Sequence, residues 1–152
     1  MLERGSAMNV AFFIKPKSQI IYIYEDNTLR QALERMRYHG YSAVPVLKRD
    51  GRYAGSVREG DFLWALYGKD DPKYDEKIRV SEILHREGRS PVRITAGMND
   101  LLLKVMDQNY VSVVDDSDSF IGIVTRRDIM RYYYEKIRML EGSFEDDEQS
   151  VT

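Results

Sequence analysis

The sequence predicts an α+β fold in which two copies of one short unit pack together with pseudo-twofold symmetry. The first observation behind this is a repeat. "YAGSVREGDFLWAL" (53–66) aligns with "FIGIVTRRDIMRYY" (120–133), so that Gly55 falls on Gly122 and Asp61 on Asp128, both at an offset of 67. The second is order: each copy reads strand, helix, strand, strand, helix, with β-rich runs alternating with helical periodicity. The third is size. One copy of about 60 residues buries little of its own surface, so two sharing a core make the stable unit.

Each copy opens with a short helix, "VAFFI" (10–14) in the first and "VSEIL" (80–84) in the second, at an offset of 70. The first strands follow as "QIIYIY" (19–24) and "PVRIT" (91–95), rich in β-branched and aromatic residues. Thr28 followed by Gln31 predicts a capping box, with hydroxyl and amide satisfying free backbone donors at the start of the next helix. Leu29, Ala32, Leu33 and Met36 form its apolar face. "ALERMRYHG" (32–40) aligns with "LLLKVMDQN" (101–109) at an offset of 69, pairing Gly40 with Asn109. These residue types best tolerate the left-handed conformation that ends a helix. Copy one carries two additional residues, about Ser42 and Ala43, between helix and strand.

"AVPVLKRDGR" (43–52) and "YVSVVDDSDS" (110–119) then align at 67 again, and Asp50-Gly51 between two β-rich runs predicts a hairpin. The chain therefore divides into repeat one (8–66), a polar linker containing Pro72 (67–77), repeat two (78–138) and an acidic tail (139–152). The tail has little to bury and is expected to be disordered.

Composition narrows the function. Of 152 residues, 43% are hydrophobic and 32% charged, as in a globular chain, and the net charge of −2 argues against nucleic-acid binding by bulk electrostatics. There is no cysteine, which excludes disulfides and thiolate metal sites and points to a reducing compartment. No apolar run reaches membrane-span length, and "MLERGSAMNVAFFI" is a poor signal peptide. A cytoplasmic protein is the simplest expectation.

Two copies of strand-helix-strand-strand-helix, with Gly-h-h-[Ser/Thr]-x-x-Asp opening the last helix, resemble a tandem pair of CBS domains. The resemblance covers residues 8–138, and "TLRQALERM", "AVPVL" and "GIVTRRDIM" carry it most closely. It implies a pseudo-twofold module whose clefts bind adenosine-containing regulatory ligands. "GYSAVPVL" and "YVSVVDDSDSFIGIVTRR" are similar to small stand-alone CBS-pair proteins of Firmicutes that bind cyclic di-AMP.

At the second Gly-h-h-Thr motif, Thr125 and Asp128 stand at the start of a helix. One reading is purely structural, a capping box with a short acid. The other is a ligand site. A helix N-terminus offers free N–H groups to a phosphate, Arg126 and Arg127 add guanidinium charge, and an ionised aspartate accepts from ribose hydroxyls. The resemblance implies phosphate at Thr125 and ribose at Asp128, in a cleft walled by Ile20, Ile21, Ser42 and Ala43. Arg126 pointing outward as a solvated residue stays open. Copy one departs from the pattern: Asp61 keeps the ribose position, but Arg58 replaces Ser or Thr and cannot accept a hydrogen bond. Its cleft is expected to be the weaker one.

His39 and His85 lack neighbours at metal-ligand spacing, and no catalytic triad or paired-carboxylate arrangement stands out, so no metal, cofactor or enzymatic activity is expected. Phe62 and Trp64 in copy one and "YYYEK" (132–136) in copy two give the last helices aromatic faces suited to packing at a subunit or repeat interface, and a homodimer is expected. The expected function is sensing of cyclic di-AMP or AMP, ADP or ATP, signalling to an unidentified target protein. A scaffold with degenerate clefts is the alternative.

Overall fold

The computed structural model describes residues 8–84 and 89–143 in full, and the backbone of 144–151. Copy one contains β2 (Ile23–Tyr24), α2 (Leu29–His39), β3 (Ala43–Leu47), β4 (Tyr53–Arg58) and α3 (Glu59–Leu66), preceded by α1 (Val10–Phe13) and β1 (Lys15–Pro16). A short α4 (Tyr74–Lys77) lies within the polar linker. Copy two contains β5 (Val92–Arg93), α5 (Met98–Asp107), β6 (Tyr110–Val114), β7 (Phe120–Thr125) and α6 (Arg126–Val151). The strands form two sheets, β2-β3-β4 and β1-β7-β6-β5. In each copy the first strand pairs parallel with the second, and the next two form an antiparallel hairpin. Even the irregularity is duplicated: the register slips between Val46 and Leu47 in one hairpin and between Val113 and Val114 in the other.

Local chemistry sets the element ends. Thr28 accepts from the Gln31 N–H (3.2 Å) and the Gln31 carboxamide accepts from the Thr28 N–H (2.9 Å), the expected capping box. Gly40 ends α2 with φ of 74°. Asn109, its aligned counterpart, is not left-handed; α5 instead runs through an extended Gln108 (φ −127°) into β6. The physical reason is that the Arg126 side chain caps this helix, donating to the carbonyls of Val105 (2.6 Å) and Met106 (3.3 Å). The two additional residues of copy one divide between α2, which has eleven residues against ten in α5, and the loop after it.

The first strands are shorter than expected, because Ile20 and Ile21 leave the sheet after a 3-10 turn at Lys17–Gln19. The acidic segment 139–152, expected to be disordered, continues α6 as helix to Val151. Exposed apolar residues at helical spacing (Ile137, Leu140) carry the pattern past the expected boundary at 138.

The two copies exchange their leading segments. Val10 and Phe13 are buried in the core of copy two with Leu101, Val105, Val111, Val113 and Val124. Val80 is buried in the core of copy one with Leu29, Ala32, Met36, Val44, Val46 and Val57. Each fully buried valine contributes about 1.5–3 kcal/mol. Backbone bonds fix the exchange: the Val80 N–H donates to the Asn27 carbonyl and the Leu29 N–H to the Ile78 carbonyl, both at 2.9 Å. On the other side, β1 joins the sheet of copy two, with Lys15 opposite Ile123 and Pro16 opposite Gly122.

The hairpin tips meet at the axis. The Phe120 N–H donates to the Gly51 carbonyl and the Tyr53 N–H to the Asp118 carbonyl, both at 3.0 Å. These pairs are equivalent under the 67-residue offset, as are Arg52 and Ser119, which form a bridge between them. Tyr53 and Phe120, also equivalent, stack at 6.2 Å and 17°.

A Cβ at Gly122 would lie 2.1 Å from the Lys15 carbonyl oxygen. Gly122→Ala therefore forces β1 off β7, and a loss of roughly 1–3 kcal/mol is expected in urea unfolding. An unchanged midpoint would mean that β1 does not pair there.

Candidate functional site

At the β7–α6 junction the Thr125 hydroxyl accepts from the Asp128 N–H at 3.1 Å, as an N-cap does. The Asp128 carboxylate lies 3.6 Å from the Lys15 ammonium, and the side chains are 29% and 48% exposed, so solvent screens the pair. Thr125 opens onto a cleft of about 270 Å³ whose walls include Ile20, Ile21, Ser42 and Ala43, with Ile123 and Tyr110 behind them. These four wall residues come from the other repeat. Among the described residues that line this cleft, Lys15 is the one cation. It arrives there because β1 crosses to the sheet of copy two, and no local pattern around "IKPKS" announces that crossing.

Arg126 and Arg127 take another direction. Arg126 is tied to the end of α5, and both arginines line a groove with Met130, Arg131 and Tyr134 on the outer side of α6. His39 is exposed, and His85 falls outside the described residues. Among the described residues no three His, Asp or Glu side chains converge as a metal site.

The second cleft, about 290 Å³, shares Ser42, Ala43, Asn109 and Tyr110 with the first and adds Ser56, Arg58, Gly60 and Arg89. Here the aspartate is engaged. Asp61 accepts from the Arg58 N–H (2.8 Å), and the Arg89 guanidinium straddles its carboxylate at 2.6 and 3.4 Å. Asp61 is 9% and Arg89 14% exposed, and Arg89 also donates to the Ser56 carbonyl at 3.1 Å. Arg58 thus holds the capping position through its backbone alone, while Arg89 supplies charge the motif does not contain. The register of the first strands matches Ile23 with Val92, an offset of 69, and so sets Arg89 on Ile20, a wall residue of the first cleft.

Between the clefts, the Ser56 hydroxyl donates to the Val44 carbonyl (3.3 Å) and shares a hydrogen bond with the Tyr110 phenol (2.5 Å). Burial pushes the Tyr110 phenol up, with the Ser56 hydrogen bond opposing. Burial pushes Tyr53 up as well.

A family model described as CBS domain matches residues 13–68 and again residues 80–135. The chain is 24% identical over 138 residues to cyclic di-AMP receptor B of Bacillus subtilis, covering 86% of this chain and 90% of that protein. Among solved structures it is similar to the CbpB protein of Listeria monocytogenes in complex with c-di-AMP (22% identity, 86% of this chain and 98% of that one, TM-score 0.78). It is also similar to CBSX2 in complex with AMP (21% identity, 84% and 96% coverage, TM-score 0.68). At these identities the structural likeness establishes the fold.

Two predictions follow from the contrasting carboxylates and the buried phenols. Arg89→Ala leaves Asp61 as a buried charge and is expected to cost about 3–5 kcal/mol in chemical denaturation. Lys15→Ala, beside a screened carboxylate, should cost under about 1 kcal/mol, and equal losses would refute the difference. The raised phenol pKa values mean that the folded state holds protons the unfolded chain releases above its value of about 10. Stability from these groups is full below about pH 10 and is lost as pH rises beyond it. Tyr110→Phe should flatten that alkaline decline in Tm.

Proposed function

Because the chain belongs to the CBS-domain family, we propose that it is a cytoplasmic regulatory sensor of adenine nucleotides, working by binding without turnover. The observation that carries this reading is the cleft at Thr125. It joins a helix N-terminus, which suits a phosphate, to apolar strand ends from the other repeat, which suit the faces of an adenine ring. Thr125 and Asp128 take phosphate and ribose, Lys15 adds the nearest positive charge, and Ile20, Ile21, Ser42 and Ala43 hold the base.

Cyclic di-AMP is the ligand we favour over AMP, ADP or ATP. A relative matched over 86% of this chain is a cyclic di-AMP receptor, and a similar fold has been captured with that ligand. The second cleft is the weaker, since its ribose carboxylate is held by Arg89. Output passes to a separate target protein from a homodimer formed through the exposed aromatic faces of α3 and α6. Leu63, Trp64, Tyr67, Met130, Tyr134 and Ile137 are each more than half exposed, whereas Phe62, expected on this face, is buried in the core of copy one.

Isothermal calorimetry at one fixed salt concentration tests the reading. Cyclic di-AMP is expected to bind more tightly than AMP. Asp128→Ala should cost roughly 1.5–3 kcal/mol of binding, since an ionised acceptor is removed, and Asp61→Ala should cost less. Tighter binding of AMP or ATP would overturn the choice of ligand while leaving the nucleotide sensor. Absence of heat or of a melting shift with any of these nucleotides would leave a scaffold with degenerate clefts.

A further inference from the structure

The edge of the first sheet carries a groove of about 700 Å³ that neither cleft uses. Tyr22 and Tyr24 line it from the β2 side, Arg35, Tyr38 and His39 from α2, and Arg49 from the turn after β3. It shares no lining residue with either cleft, and it uses neither α3 nor α6, the helices assigned above to the homodimer. The internal repeat supplies a control. By the register of the first strands and the helix and hairpin offsets, the positions of Tyr22, Tyr24, Tyr38 and Arg49 hold Pro91, Arg93, Asp107 and Asp116 in copy two. The same backbone is built twice and only one copy carries tyrosines here, so the fold does not require them. Tyr38 is 85% exposed, a ring that the folded chain leaves in water. Tyrosine and arginine are the side chains most enriched at binding hot spots between proteins.

The groove is arranged for recognition by side chains. β2 is an edge strand, yet its outer backbone groups are already taken. The Tyr24 N–H donates to the Asn27 carboxamide (2.8 Å), the Tyr24 carbonyl accepts from the Asn27 N–H (3.1 Å), and the Tyr22 carbonyl accepts from Arg35 Nε (3.0 Å). A partner strand added at this edge would find no free ladder. Arg49 stacks on Tyr24, its guanidinium carbon 4.0 Å from the ring centroid, and its Nε donates to both Asp26 carboxylate oxygens at 3.0 Å. Both arginines are thus anchored through Nε, and their η nitrogens have no hydrogen-bond partner among the described residues. A guanidinium held in place with its fork open suits a carboxylate. Glu34, the one carboxylate among the lining residues, is engaged by Arg30 (3.0 Å), which also pairs with Glu76. Lys17 adds a further cation 5.1 Å from the Tyr22 ring.

The groove also borders the first cleft. Ile20 and Ile21 wall the cleft and Tyr22, the next residue, opens the groove. His39 in the groove stacks on Tyr41 in the cleft at 6.4 Å and 28°. We propose that this groove docks an acidic peptide segment of the target protein, its carboxylates on Arg35 and Arg49 and its apolar groups on the tyrosine rings. This names the kind of partner for the sensor proposed above and rests on that reading.

The full chain is panned against a random peptide library displayed on phage, and the most enriched peptide is synthesised with a fluorophore for anisotropy. Enriched peptides are expected to be rich in Asp and Glu. Arg35→Glu and Tyr38→Ala should each weaken binding about tenfold or more. Tyr38 is exposed, so its variant keeps the fold. Lys104→Glu, at the position equivalent to Arg35 in copy two, should leave the affinity unchanged. No enrichment, enrichment without acidic residues, or an affinity unchanged in both groove variants would overturn the proposal. Loss of cyclic di-AMP binding in Tyr38→Ala, read by calorimetry, would make the groove a nucleotide surface and overturn it as well. Saturating cyclic di-AMP is expected to change the Kd of the peptide about fivefold or more. An unchanged Kd in a sample shown by calorimetry to hold the nucleotide would overturn the groove as the output surface. A chain that binds no nucleotide but binds the acidic peptide through Arg35 would end the sensor reading and uphold the docking groove.

Discussion

The rest of the structure depends on the backbone contact between the two hairpin tips. Gly51 and Asp118 accept, Phe120 and Tyr53 donate, and each bond is the other's image under the internal repeat. Both tips need a residue with positive φ, 93° at Gly51 and 60° at Asp118, so the same turn is built once with glycine and once with a residue type that tolerates it. With Tyr53 stacked on Phe120 beside this bridge, the two sheets are held in one relative orientation. The clefts are the spaces left between sheets so held. A hydrogen-bond pair contributes only about 1–3 kcal/mol. Its importance here is geometric, because it joins the two hairpins at one backbone register.

The exchange of leading segments secures that arrangement from the far side. Val10 fills the core of copy two and Val80 the core of copy one, so neither repeat completes its interior without the other. This is the physical form of the size argument: a unit of about 60 residues has too much surface for its volume, and borrowing a valine and a turn of helix reduces it. The same exchange delivers Lys15 beside Asp128. A device that completes a core therefore also supplies charge to a candidate binding cleft.

Symmetry of backbone is not symmetry of chemistry. Thr125 and Arg58 occupy the same junction, and Asp128 and Asp61 the same helical position. One aspartate faces a screened lysine and the other is enclosed under a guanidinium. The difference comes from Arg89, whose counterpart in the first copy, by the register of the first strands, is the uncharged Ile20. Removing water from the Asp61–Arg89 pair raises both its attraction and its desolvation cost, so the pair contributes little net stability yet is expensive to break. The two clefts are thereby set at different starting points for any anionic ligand.

The repeat, the hairpins, the capping box at Thr28 and the apolar face of α2 were legible because each depends on residues close in sequence, at the period of a helix or a strand. The family resemblance likewise placed Ile20, Ile21, Ser42 and Ala43 on one cleft wall with Thr125, and the structure brings them together there. What tertiary structure alone decided are the contacts of charged side chains with long reach. Arg126 sits in the motif next to Thr125, yet its guanidinium ends α5, because two free carbonyls lie within its span. That same capping removes the need for a left-handed Asn109. Lys15 lies 113 positions from Asp128 in the sequence and reaches it only through a strand exchanged between repeats. By itself the sequence determined the local backbone and its duplication. Which charge meets which carboxylate was decided by packing, since an arginine or lysine side chain takes its partner from the space around it and carries no period that a sequence displays.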